Sequence, residues 1–260
     1  MFERKFDVVT IGSATRDVLL TAGGFEVRKH ADSPAGVEQC FPLGSKIEIE
    51  NLMFTTGGGG TNAAVTFARQ GYKTACIGVI GNDLAGQEII LELRSEAVET
   101  KFFQKHGDDY TAISVILVNP SGERTILSYK GEGQHFGLKK ISFDSLKAEW
   151  FYLDSMGGHY ELLEAAILHA AGGGIKIAFN PGGKEIGHGW EKLAPLLKNV
   201  DVFIANKEEG AQLTGVESGN VEGILNKLKE AVKGIVILSD GPKGVVVRDG
   251  QSEYRAGVPD

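Results

Sequence analysis

Three stretches of this sequence combine residue types that can bind oxygen-rich or anionic ligands. Gly57-Gly58-Gly59-Gly60-Thr61-Asn62 runs directly into Ala63-Ala64-Val65-Thr66-Phe67-Ala68-Arg69-Gln70-Gly71, a helical pattern ending at a glycine cap. Glycines at a helix start let a ligand approach the backbone, and free N–H groups there attract negative charge. Four consecutive glycines are conformationally costly, which favours ligand contact over a merely flexible turn. Gly12-Ser13-Ala14-Thr15-Arg16-Asp17 follows a strand-like run. A carboxylate in a loop at that end of a parallel sheet can accept from two sugar hydroxyls, although a turn or cap Asp fits the spacing equally well. Ser239-Asp240-Gly241-Pro242-Lys243-Gly244 lies between two apolar runs. Its hydroxyl and glycine N–H groups can hold phosphate oxygens, or the segment is simply a tight turn.

Other constellations carry less chemistry. Asn206-Lys207-Glu208-Glu209 has the spacing of a capping box, with Asn206 and Glu209 as its two members. Gly58, Gly60 and Ala63 match G-x-G-x-x-A, with Asp83 further on, so an NAD-type dinucleotide fold is an alternative. That fingerprint needs its glycines directly after the first strand, and here a long irregular segment intervenes. No phosphate-binding G-x-x-x-x-G-K-[ST] and no G-x-S-x-G nucleophile elbow occurs. The histidines (His30, His106, His135, His159, His169, His188) have no metal-ligand spacing, and only His159 falls near a strand end. Cys40 and Cys76 form neither C-x-x-C nor a metal pattern, as expected of a reduced cytoplasmic protein.

These residues need elements to position them. Phe6–Ile11 and the runs 75–79, 150–153, 175–179, 201–204 and 235–238 are apolar and β-branched, the pattern of strands buried on both faces. Between them, 82–97, 161–171 and 221–232 carry apolar residues at helical spacing. The alternation predicts an α/β fold with a mostly parallel sheet and helices on both faces. Two stretches break it. The segment 18–56 has no helical pattern and includes the alternating Lys46-Ile47-Glu48-Ile49-Glu50; 112–118 and 125–129 flank the turn Asn119-Pro120-Ser121-Gly122. An unstructured loop as long as the first is improbable in a compact domain, so both are expected to form a small projecting β-sheet.

Composition narrows the partners. Lys and Arg number 27 against 34 Asp and Glu, a net charge of −7 without a basic cluster, so nucleic acid is not expected. No apolar run approaches the ~18 residues of a membrane helix. Glycine is the outlier, at 36 of 260 residues about twice the ordinary share of roughly 7%.

In their order along the chain the motifs resemble the PfkB family of carbohydrate kinases, with its ribokinase-like three-layer α/β/α core and β-sheet lid. The carrying residues are Gly12 to Asp17, the glycine run with Asn62 and its helix to Gly71, Gly81-Asn82-Asp83, Gly122-Glu123-Arg124-Thr125, Asn206 to Glu209, and Ser239 to Gly244. The resemblance implies a core from 1–17, 57–110 and 136–260 and a lid from 18–56 and 111–135. It implies ATP and Mg²⁺, a small sugar or nucleoside substrate, and pairing of two lids in a homodimer. By the same resemblance Asp17, Gly58, Gly59 and Asn62 contact the sugar. Asn180 faces the triphosphate, Asn206 and Glu209 position Mg²⁺ and its waters, and Ser239, Gly241 and Gly244 hold the nucleotide. Ribokinase proper has a lysine after the glycine pair where this chain has Gly59.

The family's catalytic G-A-G-D supplies a glycine anion hole for the moving phosphoryl group and an Asp that takes the hydroxyl proton. No G-A-G-D occurs in these 260 residues, and Asp260 has no glycines before it to form that hole. The expectation is therefore that this part of the fold is missing at the C-terminal end. The 260 residues should be inactive, a version extended through G-A-G-D should be active, and apolar surface should lie open where the absent helices belong. A non-catalytic sugar- or nucleotide-binding protein is the other reading.

Overall fold

The computed structural model describes residues 6–33, 36–119, 122–137, 141–250 and 252–258; Met1 to Lys5, the tip of the Asn119–Gly122 turn and Asp260 lie outside them. The elements in chain order are β1 (Phe6–Ile11), β2 (Thr15–Thr21), β3 (Glu26–Lys29), β4 (Val37–Cys40), β5 (Asn51–Gly57), α1 (Gly59–Arg69), β6 (Thr74–Ile77), β7 (Val79–Gly81), α2 (Leu84–Ser95), β8 (Gln104–His106), β9 (Ile113–Val118), β10 (Arg124–Tyr129), β11 (Ala148–Leu153), α3 (Tyr160–Gly173), β12 (Lys176–Phe179), α4 (Gly183–Ile186), α5 (Trp190–Leu197), β13 (Val202–Asn206), α6 (Lys207–Thr214), α7 (Val221–Ala231), β14 (Ile235–Ser239), β15 (Val245–Asp249) and β16 (Ser252–Ala256).

The main sheet has eight strands in the order β16-β15-β14-β13-β12-β11-β1-β6. Strands β6, β1, β11, β12, β13 and β14 run parallel, and β15 and β16 are antiparallel additions at one edge. The expected α/β class and mostly parallel sheet are what the chain forms. The run expected as one strand at 75–79 is two, broken at Gly78, with β7 pairing β8 in a separate ribbon.

Helices dress one face of this sheet over its central strands, whereas every residue of the edge strand β16 is exposed. Phe151, Leu153, Ile177, Phe179, Phe203, Val236 and Leu238 point into a core closed by α3, α5, α6 and α7. The other face is covered by α1 over β1 and β6 and, more lightly, β11. From β11 outward its apolar residues stay part-exposed. They line up in register as Tyr152–Ala178–Val202–Ile235 and as Ile204–Ile237–Val247–Tyr254. An apolar hollow of about 410 Å³, lined by Phe67, Tyr72, Trp150, Tyr152 and Ala178 among others, opens onto this face. Strands apolar on both sides are thus covered on one.

The second sheet has the order β10-β9-β2-β5. Asp17 sits inside β2, not in the loop assigned to it from sequence, because the chain re-enters β structure at Thr15. The alternating 46–50 segment is not a strand; Ile47 packs over the sheet, and β5 begins at Asn51. The β3–β4 hairpin pairs with itself and reaches β10 through Thr125 and Gln39.

Acidic side chains on and before α2 tie the small sheet to this helix. Asp83 caps α2 by accepting from the Gly86 N–H and also accepts from the Thr111 N–H at 2.9 Å, which fixes the start of β9. Its carboxyl is pushed up by burial, yet the Thr111 hydroxyl and these N–H donors bring it net below its ordinary value. Asp83 thus serves the fold and does not stand after a Rossmann strand. Arg16 on β2 pairs with Glu88 and Glu92 of α2.

Candidate functional site

The C-terminal ends of parallel strands carry unpaired backbone groups and the loops that follow, which is where ligands bind in open α/β sheets. Here the ladder continues one residue past β1, β11 and β12. The Asp154 N–H donates to Ile11 O and the Asn180 N–H to Leu153 O, both at 2.9 Å, while Asn206 stands in register with Ser239. The edge therefore reads Gly12, Asp154, Asn180, Asn206, Ser239 across β1, β11, β12, β13 and β14. Four strand spacings of ~4.8 Å make this row roughly 19 Å long.

At one end of the row stands the glycine run, and its geometry corrects the sequence reading. The N–H groups opening α1 are not free. Gly59 donates to the Ser13 hydroxyl at 3.0 Å, and Gly60 and Thr61 donate to the Ser13 carbonyl. Ser13 thus caps this helix from β1's loop, and the glycines answer to crowding. A Cβ at Gly58 (φ +101°) would lie 2.4 Å from Ser13 O, and one at Gly60 would lie 2.7 Å from the Gly12 backbone. A Cβ at Gly59 would lie 2.1 Å from Asp154 Oδ1, so no side chain, lysine included, fits there beside Asp154 as placed.

Asp17 and Asp154 flank these glycines. Asp17 lies against Gly57, whose Cβ would collide with its carboxylate, and accepts from the Thr15 hydroxyl at 2.7 Å. The Asp154 carboxyl is pushed up to about 6, foremost by burial and further by the negative charges of Glu185 and Glu209, against the pull of the Ser155 N–H and the Ser13 hydroxyl. Fully buried Glu185 accepts from the Met156 and Gly158 N–H groups and the Ser155 hydroxyl, which shapes the loop after Asp154. Asn62 lines a polar hollow of about 300 Å³ between β5, α1 and α2, with Thr55, Thr56, Thr61 and Glu92.

Further along the row, Asn180 is oriented by its Nδ2, which donates to Ile204 O at 3.0 Å. Asn206 and Glu209 form the complete capping box of α6: the Asn206 side chain accepts from the Glu209 N–H at 2.7 Å, and Glu209 Oε2 accepts from the Asn206 N–H at 2.9 Å. Glu209 Oε1 is the oxygen this box does not use, so one carboxylate oxygen can hold a water of a divalent ion. Among the described residues no cluster of three or more candidate metal ligands occurs. Ser239 ends β14 and Lys207 reaches Asp240 in the same loop. Gly241 (φ +50°) borders open space. Gly244 (φ +86°) allows a tight turn, since its N–H donates to Gly241 O and its Cβ would strike Ala256 O. The N–H offered to phosphate from sequence is therefore already given at Gly244. His159 binds the Gln134 carbonyl and holds the chain entering α3.

Sequence reasoning named Asp17 and the row's far half, and it missed Ser13, Asp154 and Glu185. Asp154 carried a signal, being the first polar residue after the apolar 150–153 run. Ser13 and Glu185 had none, because each acts on a residue far away in sequence.

Comparison with known proteins follows the same outline. The model of the pfkB family of carbohydrate kinases matches residues 6–259. The chain is 28% identical over 236 residues to a ribokinase of Haemophilus influenzae, covering 88% of this chain and 75% of the relative. It is 24% identical to a deoxyribokinase of Salmonella typhi, covering 78% of this chain and 67% of that protein. Among solved structures, ribokinase from Thermotoga maritima superposes with a TM-score of 0.70 at 19% identity, covering 98% of this chain and 78% of its own. Adenosine kinase from Sinorhizobium meliloti superposes with a TM-score of 0.76 at 21% identity, with coverages of 98% and 81%. Both likenesses are of fold.

Proposed function

The chain belongs to the pfkB family of carbohydrate kinases, and on that premise we propose that it serves transfer of the γ-phosphoryl group of ATP to a hydroxyl of a small sugar or nucleoside. The observation that carries this reading is the order of the strand ends. Carboxylates suited to hydroxyls, Asp17 and Asp154, stand toward one end, and the Ser239–Gly244 loop stands three strand spacings, roughly 14 Å, beyond Asp154 at the other.

In this reading Asp17 and Asp154 accept hydrogen bonds from substrate hydroxyls and fix which oxygen faces the phosphate. Asn180 and Asn206 orient the phosphate chain, Glu209 holds a water of Mg²⁺, and Ser239 and Gly241 border the nucleoside. When bound, Mg²⁺ neutralises charge on the transferring phosphoryl group. The transfer forms a bond from the hydroxyl oxygen to phosphorus and breaks the bond to ADP, and the hydroxyl proton must leave. None of these 260 residues is assigned the base or the anion hole of G-A-G-D, so their part is binding and positioning. The four-stranded sheet with β3–β4 is the lid in this reading, a place where two copies can pair.

Thermal-shift titration tests it. ATP with Mg²⁺ should raise Tm saturably, and NAD⁺ should not; a sugar or nucleoside ligand should add a second rise that Asp17→Asn removes. Stabilisation by NAD⁺ with none by ATP would overturn the assignment. The same residues also suit a protein that binds sugar and nucleotide without turnover, a reading that any sugar-dependent ADP release would exclude.

A further inference from the structure

The chain passes from the β7–β8 ribbon into the small sheet through residues 107–112 and returns to the core through 130–136, on either side of β9 and β10. One buried acid holds both crossings. Glu132, in the return, has no exposed surface. Its Oε1 accepts from the Asp109 N–H at 2.7 Å, and its own N–H donates to Tyr110 O at 2.9 Å. Asp83 holds the outgoing crossing two residues further on, at Thr111. This side of the small sheet is thus rooted on two carboxylates.

The second oxygen of Glu132 faces two imidazoles. Nδ1 of His106, on β8, lies 3.1 Å from Oε2, and Nδ1 of His135 lies 3.2 Å from the same atom. A carboxylate oxygen only accepts, so each Nδ1 carries its hydrogen. The rings differ at their other nitrogen. His106 Nε2 is buried with no hydrogen-bond partner among the described residues, so a second proton there would add a desolvated, unpaired N–H. The His135 side chain is 57% exposed, and a proton on it stays hydrated. Three further titratable groups face the joint. Asp109 accepts from the Tyr129 hydroxyl and feels the charge of His135, while His159 and Lys184 bind the carbonyl and the side-chain oxygen of Gln134. Burial pushes the Glu132 carboxyl up, but His135, the Asp109 N–H and His106 bring it net below its ordinary value. It therefore stays an anion throughout the range in which imidazole titrates.

We propose that His135 is a proton-operated latch on this joint: its protonated ring fastens Glu132, and with it the root of the small sheet, and its neutral ring slackens both. A charged donor on a buried carboxylate holds more strongly than a neutral one, enough to change the opening equilibrium of the joint about fivefold. The turn that carries His135 also touches the loop after Asp154, because Gln134 is bound by His159 and Lys184. The small sheet is therefore held fixed beside the strand ends below about pH 6.5 and moves more freely above it. No ligand enters this argument, and it stands apart from any assignment of substrate.

Native-state hydrogen exchange of the whole, ligand-free chain at about pH 5.5 and about pH 8 tests the latch, in wild type, His135→Asn, His106→Asn and Glu132→Gln. Protection of the Asp109 and Glu132 amides is read relative to the β11 amides of the same sample, so that changes in global stability cancel. In wild type this ratio should fall about fivefold from the lower pH to the higher. In His135→Asn it should stay at the lower level at both. His106→Asn keeps a donor near the Nδ1 position and should retain the fall. Glu132→Gln should abolish it, and if that variant does not fold, the exposed His135→Asn and the wild type decide. A wild-type ratio unchanged with pH would overturn the latch, as would the same fall in His135→Asn. A fall lost only in His106→Asn would overturn the assignment of the proton to His135.

Discussion

At the scale of single residues, Asp154 concentrates the conflict between folding and binding. Burial holds its carboxyl up at about 6, against roughly 3.9 in an unfolded chain. Between those values the native state binds more protons than the unfolded one. Stability therefore falls as pH rises from about 4 to about 6, and the cost persists above. Asp154→Asn cannot ionise and should be more stable than wild type at pH 7.5, by on the order of 2 kcal/mol, with that gain gone at pH 4. Denaturant titration at both pH values checks it, and an equal change at both would contradict the ionic origin. Ligand binding should move oppositely, since the carboxylate form accepts hydroxyls and is lost as pH falls through 6. Little of this was legible in sequence. The sequence marks Asp154 as a polar residue after a strand, but its burial and the nearby charges of Glu185 and Glu209 arise only once the sheet forms.

Elements place residues that single positions cannot. The capping box of α6 shows one motif with two duties, since Asn206 and Glu209 start a helix and also border the row of strand ends. The duties separate by substitution. Asn206→Ala removes the cap and should cost about 1 kcal/mol in stability. Glu209→Gln keeps an acceptor for the Asn206 N–H and should leave stability within about 0.5 kcal/mol, while lowering affinity for ATP in the presence of Mg²⁺ and not for ATP with EDTA. Full ATP–Mg²⁺ affinity in Glu209→Gln would remove this residue from the metal's surroundings. This cap was readable from spacing because its chemistry is local. By contrast α1's cap was not, since the Ser13 hydroxyl and carbonyl arrive from the loop after β1, 46 residues before Gly59. The glycines looked like a ligand cradle for the same reason: crowding by Ser13, Gly12 and Asp154 leaves no trace in a local pattern.

For the molecule as a whole, strand-helix alternation gave the sheet and its direction, and the small sheet followed from the long stretch without helical period. What alternation does not encode is which face each helix covers. Here the neighbours Val236 and Ile237 point to opposite faces, the first buried under helices and the second part-exposed. Val236→Lys should unfold the chain, whereas Ile237→Lys should leave Tm nearly unchanged and reduce binding of a hydrophobic dye such as ANS. Equal destabilisation by both would mean that the second face is covered in solution. The half-dressed sheet also shapes the temperature dependence of stability. Unfolding uncovers less new apolar surface than the chain's length suggests, so the heat capacity change falls below the usual ~12–15 cal/mol/K per residue and the denaturant slope is shallow. A flatter stability curve follows, one whose height responds to anything that settles on the open face more than to warming or cooling.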